Sequence, residues 1–409
     1  MLITHVNVVS VADGQILQDR TVTISGDTIA SVTPDSTLPR DATVVDGRGR
    51  FLIPGLWDMH AHTEATGEAW LQLYVANGVT GIRDMGSGLD MILRMRDATA
   101  TGRVLGPRIF AAGPILDDAP GDWPFRMRVK TAADGTAAVQ LLKRRGVDLV
   151  KVHDHTPRDA FFAIAEEARR QQLPVAGHIP RGLTAEQVIE AGQLDIEHLS
   201  NSELWQPCSG GQEYRAEPCR PFFEMLARRS VWSTPTLGAT SEILTIGTAR
   251  SEISADRMAY AGKTLRAMWA GNQPALTPDV IRTFRGRAEV GARVTSDMAR
   301  AGVRILTGCD TMIAGFCVHE EMAAMVRGGM TPRDALQAAT LNPARYFGLE
   351  GTAGSVAAGQ RADLVLLDGN PLVDITNVGR IRAVVLAGRL LERSDLDQLL
   401  AQVRGAAQQ

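Results

Sequence analysis

The first stretch of the chain alternates polar and apolar residues. Thr21-Val22-Thr23-Ile24-Ser25 and Thr28-Ile29-Ala30-Ser31-Val32 each put every second side chain on an apolar face, and Gly26-Asp27 between them marks a hairpin turn. The pattern returns near the end in Asp363-Leu364-Val365-Leu366-Leu367 and Ala383-Val384-Val385-Leu386-Ala387, with Gly388-Arg389 as a turn. Two distant β-rich ends predict one small β-sandwich domain closed by both termini, over residues 1–52 and 348–395. Residues 396–409 follow as a helix or tail.

The middle, 53–347, changes rhythm. Short apolar runs end near Met59, Asp84, Ala112, His153, His178, His198, Thr236 and Asp310, and helical stretches separate them. Eight such runs are the number a closed parallel barrel needs, so the expected fold is an α/β (β/α)8 TIM barrel beside the small β domain. Helix starts are well marked. Thr156-Pro157-Arg158-Asp159 and Thr331-Pro332-Arg333-Asp334 each offer a capping residue, a first-turn proline and an early acid. Thr184-Ala185-Glu186-Gln187 reads as a capping box. Residues 201–230 and 240–290 exceed what a βα loop needs and read as insertions over the barrel mouth.

The chemistry lies at the ends of the runs. His60 and His62 are two apart, so on a strand both imidazoles point the same way. His178 and His198 are one strand–helix–strand step apart, and Asp310 closes Arg304-Ile305-Leu306-Thr307-Gly308-Cys309. Lys151 ends the apolar run Val147-Asp148-Leu149-Val150. Two readings of it stand: a lysine that reaches solvent or pairs with a carboxylate, or an amine whose pKa falls on burial beside metal charge. A neutral amine adds CO2, and the resulting carbamate is an anionic bridge for two metals. Six ligand-type residues at five strand ends predict a two-metal hydrolytic site. Imidazole-rich coordination favours zinc, with manganese, cobalt or iron as alternatives.

Composition changes the picture little. The chain has 409 residues, 22% of them charged, and a net charge of −3, with no basic stripe for nucleic acid and no apolar run for a membrane. The start, Met1-Leu2-Ile3-Thr4-His5-Val6, enters a strand directly and reads as cytoplasmic unless a leader has been removed. Four cysteines are too few for a disulfide scaffold. Cys208 and Cys219 read as free thiols that would pair only on export, and Cys309 and Cys317 as small buried hydrophobes.

Pro54-Gly55-Leu56-Trp57-Asp58-Met59-His60-Ala61-His62, Gly78-Val79-Thr80-Gly81-Ile82-Arg83-Asp84-Met85-Gly86, Gly177-His178-Ile179-Pro180, Ile196-Glu197-His198-Leu199 and Thr307-Gly308-Cys309-Asp310-Thr311 together resemble the amidohydrolase superfamily, in its imidazolonepropionase-like and prolidase-like branch. Asn342-Pro343-Ala344 and Gly359-Gln360-Arg361-Ala362-Asp363-Leu364 resemble its return to the β domain. The resemblance implies that His60, His62 and Asp310 hold the more buried metal, that His178 and His198 hold the more exposed one, and that carboxylated Lys151 bridges them. It implies water activated between two metals, attack on an amide carbonyl, and Asp310 as the group that moves the proton. Dipeptides, N-acyl amino acids and related carboxylate-bearing amides are the expected substrates, and a homo-oligomer the expected assembly. His153, two past Lys151 and pointing the same way, is a further catalytic or substrate-binding candidate.

Arg83 either binds substrate or forms a salt bridge inside the barrel rim. His155 and Arg158 either add contacts at the mouth or are solvated. His5 and His319 fall at no catalytic strand end and read as structural, and Trp123, Trp205 and Trp232 either line a pocket or pack in core and loops. Two other functions stay open: hydrolysis of a lactone, cyclic imide or organophosphate ester at the same site, and a non-catalytic binding barrel.

Overall fold

A computed structural model of the chain describes every residue except 35–42, 64–66, 122–124, 200–213, 239–254, 264, 268–277 and 409. Five strands come first: β1 (Leu2–Val9), β2 (Ile16–Ser25), β3 (Thr28–Thr33), β4 (Val44–Asp46) and β5 (Phe51–Pro54). The middle holds β6 (Leu56–Ala61), β7 (Val79–Asp84), β8 (Arg108–Ala111), β9 (Ile115–Asp117), β10 (Arg126–Arg128), β11 (Val150–Val152), β12 (Val175–Gly177), β13 (Gln193–Glu197), β14 (Trp232–Thr234) and β15 (Arg304–Ile305). The chain closes with β16 (Leu364–Leu367), β17 (Ile381–Leu386) and β18 (Arg389–Glu392).

The terminal strands form one sheet in the order β18-β17-β16-β5-β1-β2-β3, with β4 added to β1. β16 runs antiparallel to β5, Leu366 opposite Leu52, so the C-terminal strands are hydrogen-bonded onto the N-terminal ones. Alternation decides the buried face: Val22 and Ile24 join Ile3, Val6, Val8, Leu364, Leu366, Ala383 and Val385 in a single apolar cluster. The sheet folds back far enough for its turns to meet. A Cβ on Gly388 would stand 1.9 Å from the Gly26 carbonyl oxygen, so only glycine fits there. The expected sandwich is therefore made by one sheet and not by two, because β16 inserts between β5 and β17 and leaves no break.

β6, β7 and β8 pair in parallel, and so do β11 through β15. Backbone bonds from Asp148 N to Ala111 O (2.9 Å) and from Met59 N to Thr307 O (2.8 Å) join the two runs and close the barrel. All eight expected strands are present. The eighth is the shortest: Leu306 N still bonds to Ser233 O on β14, and one residue on Thr307 N turns to Ala338 O.

Two of the three caps expected from the sequence form. The Thr184 box and the Thr331 cap form as expected, and Thr131 with Asp134 makes another box. Thr156 does not cap. Pro157 takes that position, and the Thr156 hydroxyl instead ties the Leu116 carbonyl to the loop at His153. The C-terminal helix, Arg393–Gln408, begins three residues before the expected 396, buries Leu396, Leu399, Val403 and Ala407, and packs on the helix Leu71–Ala76. Among the described residues no helix is long and apolar enough to cross a membrane.

The cysteines correct the reading from sequence. Cys309 and Cys317 form a disulfide, and Cys219 is disulfide-bonded too, so none of these is a free thiol or a mere hydrophobe. Cys208 lies outside the described residues. Composition could not reveal the Cys309–Cys317 pair, which needs the strand-end loop to turn back onto the next helix.

Candidate metal centre

The six expected ligands converge at the C-terminal end of the barrel strands, the end where barrel active sites sit. Asp310 Oδ1 lies 3.3 Å from His62 Nε2 and 3.8 Å from His60 Nε2, and its Oδ2 lies 3.7 Å from His198 Nδ1. One ligand atom from each of His60, His62 and Asp310 falls within 4.8 Å of the others, the tightest part of the set. The His198 ring stands 4.6 Å from both the His60 and the His178 rings. Lys151 is buried in the middle of β11, near enough to Asp310 and Glu197 to feel their charge.

Backbone detail brings them this close. His198, Thr236 and Asp310, in the segments that follow β13, β14 and β15, all have positive φ, uncommon for non-glycine residues. Glycine supplies the remaining room. A Cβ on Gly308 would stand 2.9 Å from His60 Cβ, and one on Gly177 only 2.1 Å from Val152 O, so neither strand could carry its ligand this near with a larger residue.

Each ligand histidine already uses one ring nitrogen. Nδ1 of His60 meets Glu197 Oε2 at 2.6 Å, Nδ1 of His62 meets Gly86 O at 3.0 Å, Nδ1 of His178 meets Asp154 Oδ1 at 2.6 Å, and Nδ1 of His198 meets Thr236 Oγ1 at 2.7 Å. Such outer contacts fix ring orientation and leave Nε2 for a metal. Burial, then neighbouring cations, hold His60, His178 and His198 well below the usual imidazole range, which is the neutral, ligating form. His62 goes the other way, burial being outweighed by its hydrogen bond to Asp310. Burial pushes Asp310 up, but the His60, His62 and His198 imidazoles outweigh it and hold the carboxyl well below the usual range. Burial likewise lowers the Lys151 amine, the direction that favours a carbamate.

Of the two readings of Arg83, the structure shows the salt bridge. The arginine is fully buried inside the barrel, and every guanidinium nitrogen is engaged: Nε with Met59 O, one terminal nitrogen with Asp195, the other with Glu197 Oε1 at 2.8 Å and Thr234 Oγ1 at 3.0 Å. Glu197 thus links a buried cation to His60, a positioning role the sequence reading missed. Its signal was present in β13, where Asp195 and Glu197 alternate toward the interior of an otherwise apolar barrel and call for a buried cation. Glu197→Gln should weaken metal binding about 10–100-fold while the barrel still folds. Zinc titration by competition with a chelating dye would measure this, and unchanged affinity would remove Glu197 from the role.

His153 stands beside the centre, its ring 4.0 Å from that of His178 and one-quarter exposed, placed to meet a molecule at the mouth. Arg158 is exposed on the helix that follows, as a solvated residue should be. His5 pairs with Asp19 and His319 with the Asn77 carbonyl, both structural. Trp232 is core, packed with Trp57, Met59, Phe110 and Leu306. Trp123 and Trp205 lie outside the described residues.

Residues 51–391 match the amidohydrolase family. The chain is 25% identical to an ochratoxinase from Aspergillus niger over 89% of its own length and 80% of that protein. It is 26% identical to an imidazolonepropionase from Rubrobacter xylanophilus over 87% of itself and 86% of the relative. Among solved structures, a putative prolidase from Bifidobacterium longum superposes with a TM-score of 0.75 at 23% identity, covering 98% of each chain.

Proposed function

From its membership of the amidohydrolase family, to which the chain belongs as a hydrolase of carbon–nitrogen bonds, we propose that it is a two-metal hydrolase of carboxylate-bearing amides, dipeptides and N-acyl amino acids first among them. The observation that carries the reading is the set of four Nδ1 atoms held by Glu197, Gly86 O, Asp154 and Thr236, which leaves four Nε2 atoms for metal beside an ionised Asp310 and a buried Lys151. That donor set fits two divalent ions of zinc type. His60, His62 and Asp310 would hold one, His178 and His198 the other, and Lys151 as its CO2 adduct would join them. When bound, the metals supply a nucleophile drawn from water at neutral pH and positive charge against a carbonyl oxygen.

The protein's own groups supply the rest. Asp310, its carboxyl held below the usual range by three imidazoles, accepts the proton lost by the attacking water and passes it to the departing nitrogen. His153, at the mouth beside His178, contacts the substrate and orients it. Orientation alone accounts for several kcal/mol of barrier, about 7–11 at best.

The test is metal content per chain after supply of zinc and bicarbonate, read beside hydrolysis of a dipeptide and N-acyl amino acid library. Two metals with turnover on a carboxylate-bearing amide is the expected result. Two metals with turnover only on lactones, cyclic imides or esters would replace the substrate class. One metal or none would exclude the Lys151 bridge and the mechanism with it.

A further inference from the structure

A second group of ligand-type side chains lies just outside the centre. Asp117 ends β9, and His153 and His155 follow β11, and one ligand atom from each falls within 4.8 Å of the other two. Asp117 is fully buried. Its Oδ1 accepts the His155 backbone N–H at 2.9 Å, and its Oδ2 lies 3.9 Å from His153 Nδ1. The buried Nδ1 of His155 has no hydrogen-bond partner among the described residues. A buried carboxylate, two imidazoles and an orphaned ring nitrogen at one point are poor packing in themselves, because an unmet polar atom costs stability. They make good sense as ligands.

We propose that Asp117, His153 and His155 form a third divalent-metal site, of zinc-type chemistry, at the barrel mouth beside the two-metal centre. Donor atoms around one zinc stand about 3–3.5 Å apart, so the pair at 3.9 Å has to close by roughly half an ångström. One cation competes: Arg126 Nε lies 3.4 Å from Asp117 Oδ2, and its Nη1 is held by the Ala119 and Gly121 carbonyls. The Ala119 backbone N–H also reaches that oxygen, at 3.3 Å. The third site is therefore weaker than the first two and fills only after them. Filling it takes up His153 Nδ1, which makes Nε2 the protonated nitrogen of that ring. The third ion would thus set the tautomer of a residue at the substrate's edge.

The experiment is zinc titration of the full chain, already loaded at its tighter sites, against a competing chelator dye, with cobalt(II) absorption as a second readout. Three proteins are compared: the unaltered chain, His155→Ala and Arg126→Ala. The unaltered chain should take up one ion more than His155→Ala, whose affinity for that ion falls at least about tenfold. Arg126→Ala should bind it more tightly, and its cobalt form should show a visible band that His155→Ala lacks. Equal uptake by all three proteins would overturn the proposal. If His155→Ala does not fold, unchanged affinity in Arg126→Ala overturns it equally well. Because the site is read as a difference between proteins, its failure is distinct from failure of the two-metal reading, which would lower the count in all of them.

Discussion

Asp310→Asn should lower kcat on an amide substrate by about 10²–10⁴-fold, the range a positioned proton-transfer group supplies. The substitution keeps the shape and removes the charge. Three imidazoles, those of His60, His62 and His198, oppose the effect of burial and hold that carboxyl well below its usual range in the unaltered protein. Asparagine can accept no proton, and its carbonyl oxygen is a weaker ligand than a carboxylate. Metal content must be measured on the same samples, because a variant that has merely lost an ion would show a deficit restored by excess zinc. A metal-replete Asp310→Asn protein that turns over at near the normal rate would sink the assignment of Asp310 as the proton carrier.

The largest stability effect is expected at Arg83→Met. The guanidinium is buried between Asp195 and Glu197, and removing it strands two carboxylates in the barrel interior. Breaking a buried pair from one side typically costs about 3–5 kcal/mol. Burial already pushes the Asp195 carboxyl up to about 7 even with Arg83 present, so without the cation at least one of the two acids must take a proton to stay inside. Urea denaturation would read the loss as a lower midpoint. The triple variant Arg83→Met, Asp195→Asn, Glu197→Gln should recover much of it, since the stranded charges are gone. An Arg83→Met protein as stable as the original would show that the interior ion pairs carry no net weight.

Much of the candidate site was legible in the sequence because strand geometry is local. The two-residue spacing of His60 and His62, and the ligand-type residues at or just past the ends of five apolar runs, could be read from the alternation of side chains along a strand. The same rule exposed the terminal sheet through Val22, Ile24, Leu364 and Leu366. What stayed hidden was pairing across the fold. Arg83 and Asp195 are 112 positions apart, and no local pattern says whether an arginine faces a ligand or a distant carboxylate. The Nδ1 partners were hidden for the same reason, Glu197 sitting 137 positions from His60. Thr156 misled because its own hydroxyl found better partners at Leu116 and His153 than a helix start. The cysteine pair needed knowledge of a loop path that eight residues of sequence do not contain.

The position of β16 between β5 and β17 has a consequence for how the chain is made. Leu52 and its partner Leu366 are separated by almost the whole barrel. At about 5–20 residues per second, a ribosome delivers β16 roughly 15–60 s after β5. Through that interval β5 presents an unpaired apolar edge, the kind of edge that invites association between nascent chains. The barrel between them can close first on its own parallel ladder, and the last strands then complete the sheet as a clasp. Yield of active protein should therefore depend more on synthesis rate and on protection of that open edge than on the stability of the finished molecule.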